Sequence, residues 1–384
     1  MRVTHIITRL IVGGAQENTV SSVLGLMQKP GLEVDLISGP SLGPEGTLES
    51  SFDSHPRTLK ILPELVRPVR PWLDIASFRK LTRMLHAAKP HIVHTHSGKA
   101  GVLGRMAAAR ASVPVIIHTI HGPSFGPFQG WAANLLFTAA ERHVAPVTTH
   151  FVVVADAMRD QYLAKGIGHP GQYTKVLSGF NLEPFLHATN DLTFRSKLGL
   201  GREDLVIGKI ARLTRLKGHE DLVESAAQIV AGCPRARFLL VGDGELRPWL
   251  EHRVKQLGLS DRFIFAGLVS PSQVSRYVGV TDVLVHLSTR EGLPRALPQA
   301  LAAAKPVVAY NCDGAGEACL DGETGFLITT GDKSSLVQAI TKLAGDESLR
   351  MQFGERGRRF VSSRFGVQKM VDDLHALYLK LAGT

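Results

Sequence analysis

Arg212 and Lys217 stand five residues apart in GKIARLTRLKGHEDLVES (208–225), between an apolar run and an amphipathic segment. Two cations on a strand-to-helix loop can converge on one diphosphate, arginine as a planar fork and lysine as a point charge. The helix start adds backbone amides that favour an anion. In REGLPRALPQALAAAKPVVAYNCDGAGEACLDGETGFL (290–327), an acid, Glu291, a polar amide, Gln299, and two glycine turns surround one candidate ligand. If Pro294 opens a helix, the stretch from Glu291 to Gln299 spans at most about 12 Å, the scale of a sugar plus a ribose. A carboxylate there accepts from both hydroxyls of a diol, whereas a Gln amide offers one acceptor and a donor.

Other residues of this kind also follow apolar runs. VIIHTIHGPSFGPF (115–128) sets His118 and His121 around a run's end; His118 reads as a structural histidine. Gly13 and Gly14, before a helix from Ala15, let backbone amides approach a phosphate, and they equally suit a tight turn. Gly242 and Gly244 in VGDGELR, Gly267 and Leu268 in FAGLVS, and Gly314–Gly316 make further turns. In HTHSGKAGVLGR (94–105), Lys99 has two readings, contact with an anionic acceptor or a solvated charge.

Strands must position these groups. Short Val- and Ile-rich runs alternate with longer amphipathic segments, the pattern of parallel strands joined by crossover helices. Strands are expected at 3–8, 33–38, 92–95, 115–119, 151–154 and 174–177, and again at 206–210, 237–241, 263–266, 283–286, 307–309 and 325–328. Two doubly wound α/β domains follow, with ligands at the carboxyl ends of the strands. The joint falls near Ser178–Thr189, giving domains 1–183 and 184–364. The tail from about 365 to 384 is a helix with Met370, Leu374, Leu377 and Leu381 at helical spacing. Gly39–Thr58 is the longest stretch without periodicity.

The 384 residues, 44% apolar, exceed what one core usually serves. A formal charge of +10 points to anionic partners. Aromatics are 6% of the chain and do not interleave with the basic residues, which argues against nucleic acid. His5 and Arg9 interrupt any signal-peptide core, and no apolar run is long enough to span a bilayer, so a cytoplasmic protein is expected. Cys233, Cys312 and Cys319 form no CxxC and suit a reducing compartment rather than structural zinc. Residues 62–89 mix Arg67, Arg70, Arg79, Lys80 and Arg83 with Trp72, Leu73 and Phe78. That mixture fits either an anionic membrane surface or a solvated basic face.

The order of these motifs along the chain resembles the GT-B glycosyltransferases of family GT4, densely from Gly208 to Leu327 and more loosely before it. The resemblance implies two Rossmann-like domains facing a cleft, with the C-terminal helix crossing back onto the first. It implies catalytic roles for His121, Arg212, Lys217 and Glu291. Donor contacts fall on Gly13, Gly14, Gly242, Gly267, Leu268, Gly292, Leu293 and Gln299, the last standing where the family has a second acid. Ser97 and Lys99 fall on the acceptor side, with Asn181 in the segment resembling the interdomain connection. It further implies retention of anomeric configuration without a metal, in keeping with the absence of a DxD motif. The expected co-substrate is a nucleotide diphosphate sugar with no other cofactor. The expected acceptor is a saccharide or lipid-linked glycan of the cell envelope or exopolysaccharide, reached at the inner face of the membrane. A non-catalytic nucleotide-sugar-binding protein and a GT-B epimerase are the alternatives.

Overall fold

The apolar runs become thirteen strands among the described residues, which are 1–41, 46–126 and 128–383 of a computed structural model. The first seven are β1 Arg2–Ile7, β2 Glu33–Ser38, β3 Leu59–Ile61, β4 Ile92–His96, β5 Val115–Ile120, β6 His150–Val153 and β7 Tyr173–Lys175. They form one parallel sheet in the order β3-β2-β1-β4-β5-β6-β7. The other six are β8 Leu205–Ile210, β9 Ala236–Val241, β10 Phe263–Gly267, β11 Val283–His286, β12 Val307–Tyr310 and β13 Gly325–Ile328. Their parallel sheet has the order β10-β9-β8-β11-β12-β13. Twelve of these strands coincide with expected runs. The exception is β3, three residues at a sheet edge with Lys60 in its centre, too short and too polar to stand out as a run.

The chain forms two compact units, Met1–Gly179 with Val367–Thr384, and Phe180–Gly366. Both are doubly wound parallel sheets, as expected. In the first unit the helix Val367–Ala382 packs on the helix Gly14–Leu26. It buries Met370, Val371, Leu374, Leu377 and Tyr378 against Val3, Ile7 and Val23. At about 25 cal/mol per Å² of apolar surface, each such side chain contributes roughly 1.5–3 kcal/mol. In the second unit the core lies between the sheet and the helices His219–Gly232 and Lys333–Gly345, around Ile207, Phe238, Leu240 and Val285. No helix among the described residues is long and apolar enough to cross a membrane.

Candidate active site

In each sheet the strand order reverses beside its first strand, between β1 and β4 and between β8 and β11. Loops diverge at such a reversal, so a ligand can sit against the carboxyl ends of the strands.

In the second unit the loop Ala211–Gly218 after β8 is fixed by backbone groups. The amides of Ala211 and Leu213 donate to the carbonyls of Val241 and Asp243, both at 3.0 Å, and the Thr289 amide donates to the Leu216 carbonyl at 2.9 Å. Close approach demands glycine at two places. A Cβ on Gly218 (φ 64°) would lie 2.1 Å from the Leu287 carbonyl oxygen, and one on Gly242 (φ 133°) 2.1 Å from that of Ala211. Leu216 takes a left-handed φ of 69° without being glycine, a conformation that costs energy and clusters at functional sites. The His219 ring, pushed down to about 3 by burial and then by Lys209, is neutral. Its Nε2–H donates to the Arg212 carbonyl at 2.9 Å. The backbone under Arg212 is thereby held while its side chain is exposed.

Lys217 Nζ lies 2.5 Å from Glu291 Oε1. His286 Nε2 is 3.3 Å from the same oxygen, outside hydrogen-bond alignment. The Glu291 amide donates to the Asp313 carboxylate at 2.7 Å, which ties the loops after β11 and β12 together. Burial alone would raise the Glu291 carboxyl, but His286 and Lys217 outweigh it and hold the group well below the usual carboxylate range. Burial lowers His286 itself, so Lys217 supplies the charge. At the penultimate position of β8, Lys209 is 1% exposed, and its ammonium has no hydrogen bond or ion pair among the described residues. Burial and then repulsion from Lys217 push it down to about 7.

The Gly242 amide donates to the Gly267 carbonyl at 2.9 Å, joining the turns after β9 and β10, and Leu268 beside them is exposed. Gly292 and Leu293 continue the Glu291 loop. The helix after it is Ala296–Ala302, not one opened by Pro294, so Glu291 and Gln299 do not share a helix. Pro298 is its third residue, where the missing N–H forfeits no helical bond. Gln299 is 4% exposed, a buried amide rather than a surface one.

In the first unit the residues gather at the ends of β1, β4 and β5. Gly13 precedes the helix Gly14–Leu26 in an extended conformation that any residue adopts, and a Cβ on Gly14 would meet no atom. What glycine provides there is close access to the first-turn amides. Ser97 caps the helix Gly98–Arg110 with φ 67°, and its buried Oγ lacks a hydrogen-bond partner among the described residues. His121, just beyond β5, has Nε2 3.1 Å from His96 Nδ1, and burial pushes its ring down to about 4. His118 is a core group, its Nδ1 2.9 Å from Thr95 Oγ1. Lys99 is already engaged: it pairs with Asp74 at 2.5 Å and donates to the Pro68 carbonyl. Asn181 lies in the second unit, where its Oδ1 accepts from the Glu183 amide at 3.3 Å in a local turn. Lys209, His219, His286 and Asp313 escaped the sequence reading, as did His5 and His94. The period-two spacing of His94 and His96, which sets both on one strand face, was the available signal.

Residues 14–174 match the model of the glycosyl transferase 4-like domain, and residues 190–360 that of the glycosyl transferases group 1. A curated relative of Escherichia coli, UDP-Gal:alpha-D-GlcNAc-diphosphoundecaprenol alpha-1,3-galactosyltransferase, is 27% identical over 99% of this chain and 97% of its own length. The capsular polysaccharide biosynthesis glycosyltransferase CapM of Staphylococcus aureus is 25% identical over 94% of this chain and 95% of its own. Among solved structures, Anabaena HepE in complex with UDP superposes with a TM-score of 0.84 at 21% identity, covering 99% of this chain and 100% of that one, a likeness of fold. With its first half matched to one glycosyltransferase domain and its second to the other, the chain is similar over most of its length to glycosyltransferases and has the GT-B fold.

Proposed function

We propose that the protein is a retaining, metal-independent hexosyltransferase that moves a sugar from a UDP- or GDP-sugar to a saccharide or lipid-linked acceptor in cell-envelope glycan synthesis. The observation that carries this reading is the Lys217–Glu291 pair beside Arg212, at the switch point of the second sheet. Glycosyl transfer builds positive charge at the anomeric carbon while negative charge grows on the departing diphosphate, so fixed cations lower the barrier. Arg212 and Lys217 supply that charge. Glu291 orients the donor sugar and Gln299 addresses the ribose side, while Gly13, Gly14 and His121 keep the donor and catalytic roles that the family resemblance gives them. A leaving phosphate oxygen on the acceptor's face takes the acceptor proton, so no dedicated base is required and configuration is retained. The donor and the lipid-linked acceptor named for the E. coli relative support this choice of substrates.

A lipid-linked acceptor also suits the surface of the first unit. Trp72 is 85% and Trp131 82% exposed; Val69 is exposed beside Arg67 and Arg70, and Leu135 and Leu136 beside Trp131. Such apolar and cationic side chains together favour an anionic interface. Binding to anionic liposomes at low salt that is lost in Trp72→Ala supports the surface; no binding removes it.

The donor site is tested by thermal unfolding with UDP-, GDP-, ADP- and CMP-sugars in EDTA. A ligand at 100 times its Kd adds about 2.7 kcal/mol. A shift with one nucleotide class, lost in Arg212→Ala, is expected; no shift with any of them overturns the assignment.

A further inference from the structure

Five hydrogen bonds run without a gap from Thr119 to His121 through the interior of the first unit. Thr119 Oγ1 lies 2.6 Å from His94 Nε2, and His94 Nδ1 lies 2.5 Å from the Tyr378 hydroxyl. That hydroxyl is 3.3 Å from His5 Nε2, and His5 Nδ1 is 2.9 Å from His96 Nε2. His96 Nδ1 then reaches His121 Nε2 at 3.1 Å. The register explains the assembly. His5 lies opposite His94 and His96 opposite Thr119, so strand alternation puts all four on one sheet face, which the C-terminal helix covers with Tyr378. His5, His94, His96 and Tyr378 are buried. Burial lowers His5 to about 3 and His94 and His96 well below the ordinary imidazole value, so all three are neutral at pH 7. A neutral imidazole has one donor and one acceptor, so the tautomer of each ring dictates that of the next.

Tyr378 sets the direction. It has one proton, a phenol donates to an imidazole nitrogen better than the reverse, and its shorter contact is the one to His94, 2.5 Å against 3.3 Å to His5. Tyr378 therefore donates to His94 Nδ1, and His94 Nε2–H donates to Thr119. The phenol oxygen accepts from His5 Nε2–H, His5 Nδ1 accepts from His96 Nε2–H, and His96 Nδ1 accepts from His121 Nε2–H. His121 is left with a bare Nδ1, which has no hydrogen-bond partner among the described residues.

We propose that His96, His5 and Tyr378 are positioning residues that hold His121 as its Nε2–H tautomer, so that Nδ1 presents a lone pair to a hydroxyl of the bound donor or acceptor. This rests on the place of His121 in the proposed transfer site. It makes a tyrosine of the C-terminal helix part of that site's machinery. The same three imidazoles, His5, His94 and His96, have nitrogens within 4.8 Å of one another, the scale of a metal site. Their lone pairs and protons are already spent on one another and on Tyr378, Thr119 and His121.

Nitrogen-15 histidine NMR of the whole protein at pH 7 reads each tautomer. The wild type should show His121 protonated on Nε2. Tyr378→Phe removes the acceptor of His5, so His5 and His96 turn and His121 becomes Nδ1–H, and kcat falls on the order of tenfold, the effect of one hydrogen bond. A wild-type His121 protonated on Nδ1, an unchanged tautomer in Tyr378→Phe, or a stoichiometric metal lost in His5→Gln overturns the relay. A tautomer change with kcat unaltered overturns the positioning role. In that case His121→Ala separates the two readings: if it too leaves kcat unaltered, the transfer-site assignment fails with it. Should Tyr378→Phe not fold, the wild-type tautomer decides alone.

Discussion

Lys217 and Glu291 meet at 2.5 Å from loops that follow the adjacent strands β8 and β11, so the pair links the two sides of the sheet's switch point. With three protons, the ammonium can keep the carboxylate and still face a diphosphate. The pair therefore orients the cation through a contact within the protein, and fixed orientation is what a transition state rewards.

Lys217→Ala should lose about 1.5–3 kcal/mol of charge-assisted stabilisation, roughly ten- to more than a hundredfold in kcat/KM. Because Glu291→Gln removes the same contact, the double variant should fall well short of the sum of the two losses. Strict additivity in a kinetic double-mutant cycle would show that the residues act separately.

Lys209 is shifted toward its neutral form. Its folded value of about 7 lies below that of an unfolded lysine, so the unfolded chain binds more protons between roughly pH 7 and 10.5. Its burial is most costly below pH 7, and the cost fades as pH rises through that window. A diphosphate bound nearby should recharge it, so calorimetry of UDP binding at pH 8 in buffers of different ionisation enthalpy should register uptake of up to about one proton. Lys209→Met should abolish the uptake and raise the melting temperature of the free protein. Uptake that persists in this variant assigns the proton elsewhere.

The buried histidines of the first unit make it sensitive to acid. His5, at about 3, and His94, His96 and His118, all held well down by burial, stay neutral in the fold while an unfolded imidazole protonates near 6.5. Their contribution is fully present above about pH 6.5 and is lost as pH falls toward the folded values. At pH 5 the deficit is about 2 kcal/mol for each such ring, large beside a typical domain stability of about 5–15 kcal/mol. Calorimetric scans from pH 7.5 to 5 should show a steep fall in melting temperature, reduced in His118→Gln. A flat profile would mean that these rings protonate in place.

Gly218→Ala should be the most damaging glycine change in the donor loop. Alanine is strained at φ 64°, and its methyl would stand 2.1 Å from the Leu287 carbonyl, a backbone atom that cannot swing aside. The expected cost is about 3 kcal/mol, together with weaker donor binding as the Arg212–Lys217 loop shifts. Wild-type stability and donor affinity in this variant would mean that the loop moves freely.

Strands were legible because a parallel strand buried on both faces must be apolar throughout, as VVAY and FLLV are. The edge strand β3 obeys no such demand. The loop positions of Arg212, Lys217 and Glu291 were legible because each follows an apolar run that reads as a strand. Lys99 was not, since its partner Asp74 lies 25 residues away on another helix. The histidine relay was the least legible feature, because His5, His94 and Tyr378 become neighbours only through sheet register and the return of the last helix. The helix start at Ala296 was misjudged because proline fits a turn as well as a first helical position.

The return of Val367–Ala382 onto the first unit also sets an order of assembly. During synthesis Tyr378 and its apolar neighbours leave the ribosome after all 187 residues of the second unit. The second unit can close while the first still waits, its histidine face uncovered, for the closing helix to emerge. A released chain that ends before Val367 should therefore hold a protected second unit and a protease-sensitive first one, the reverse of the usual order in which the first-made domain folds first.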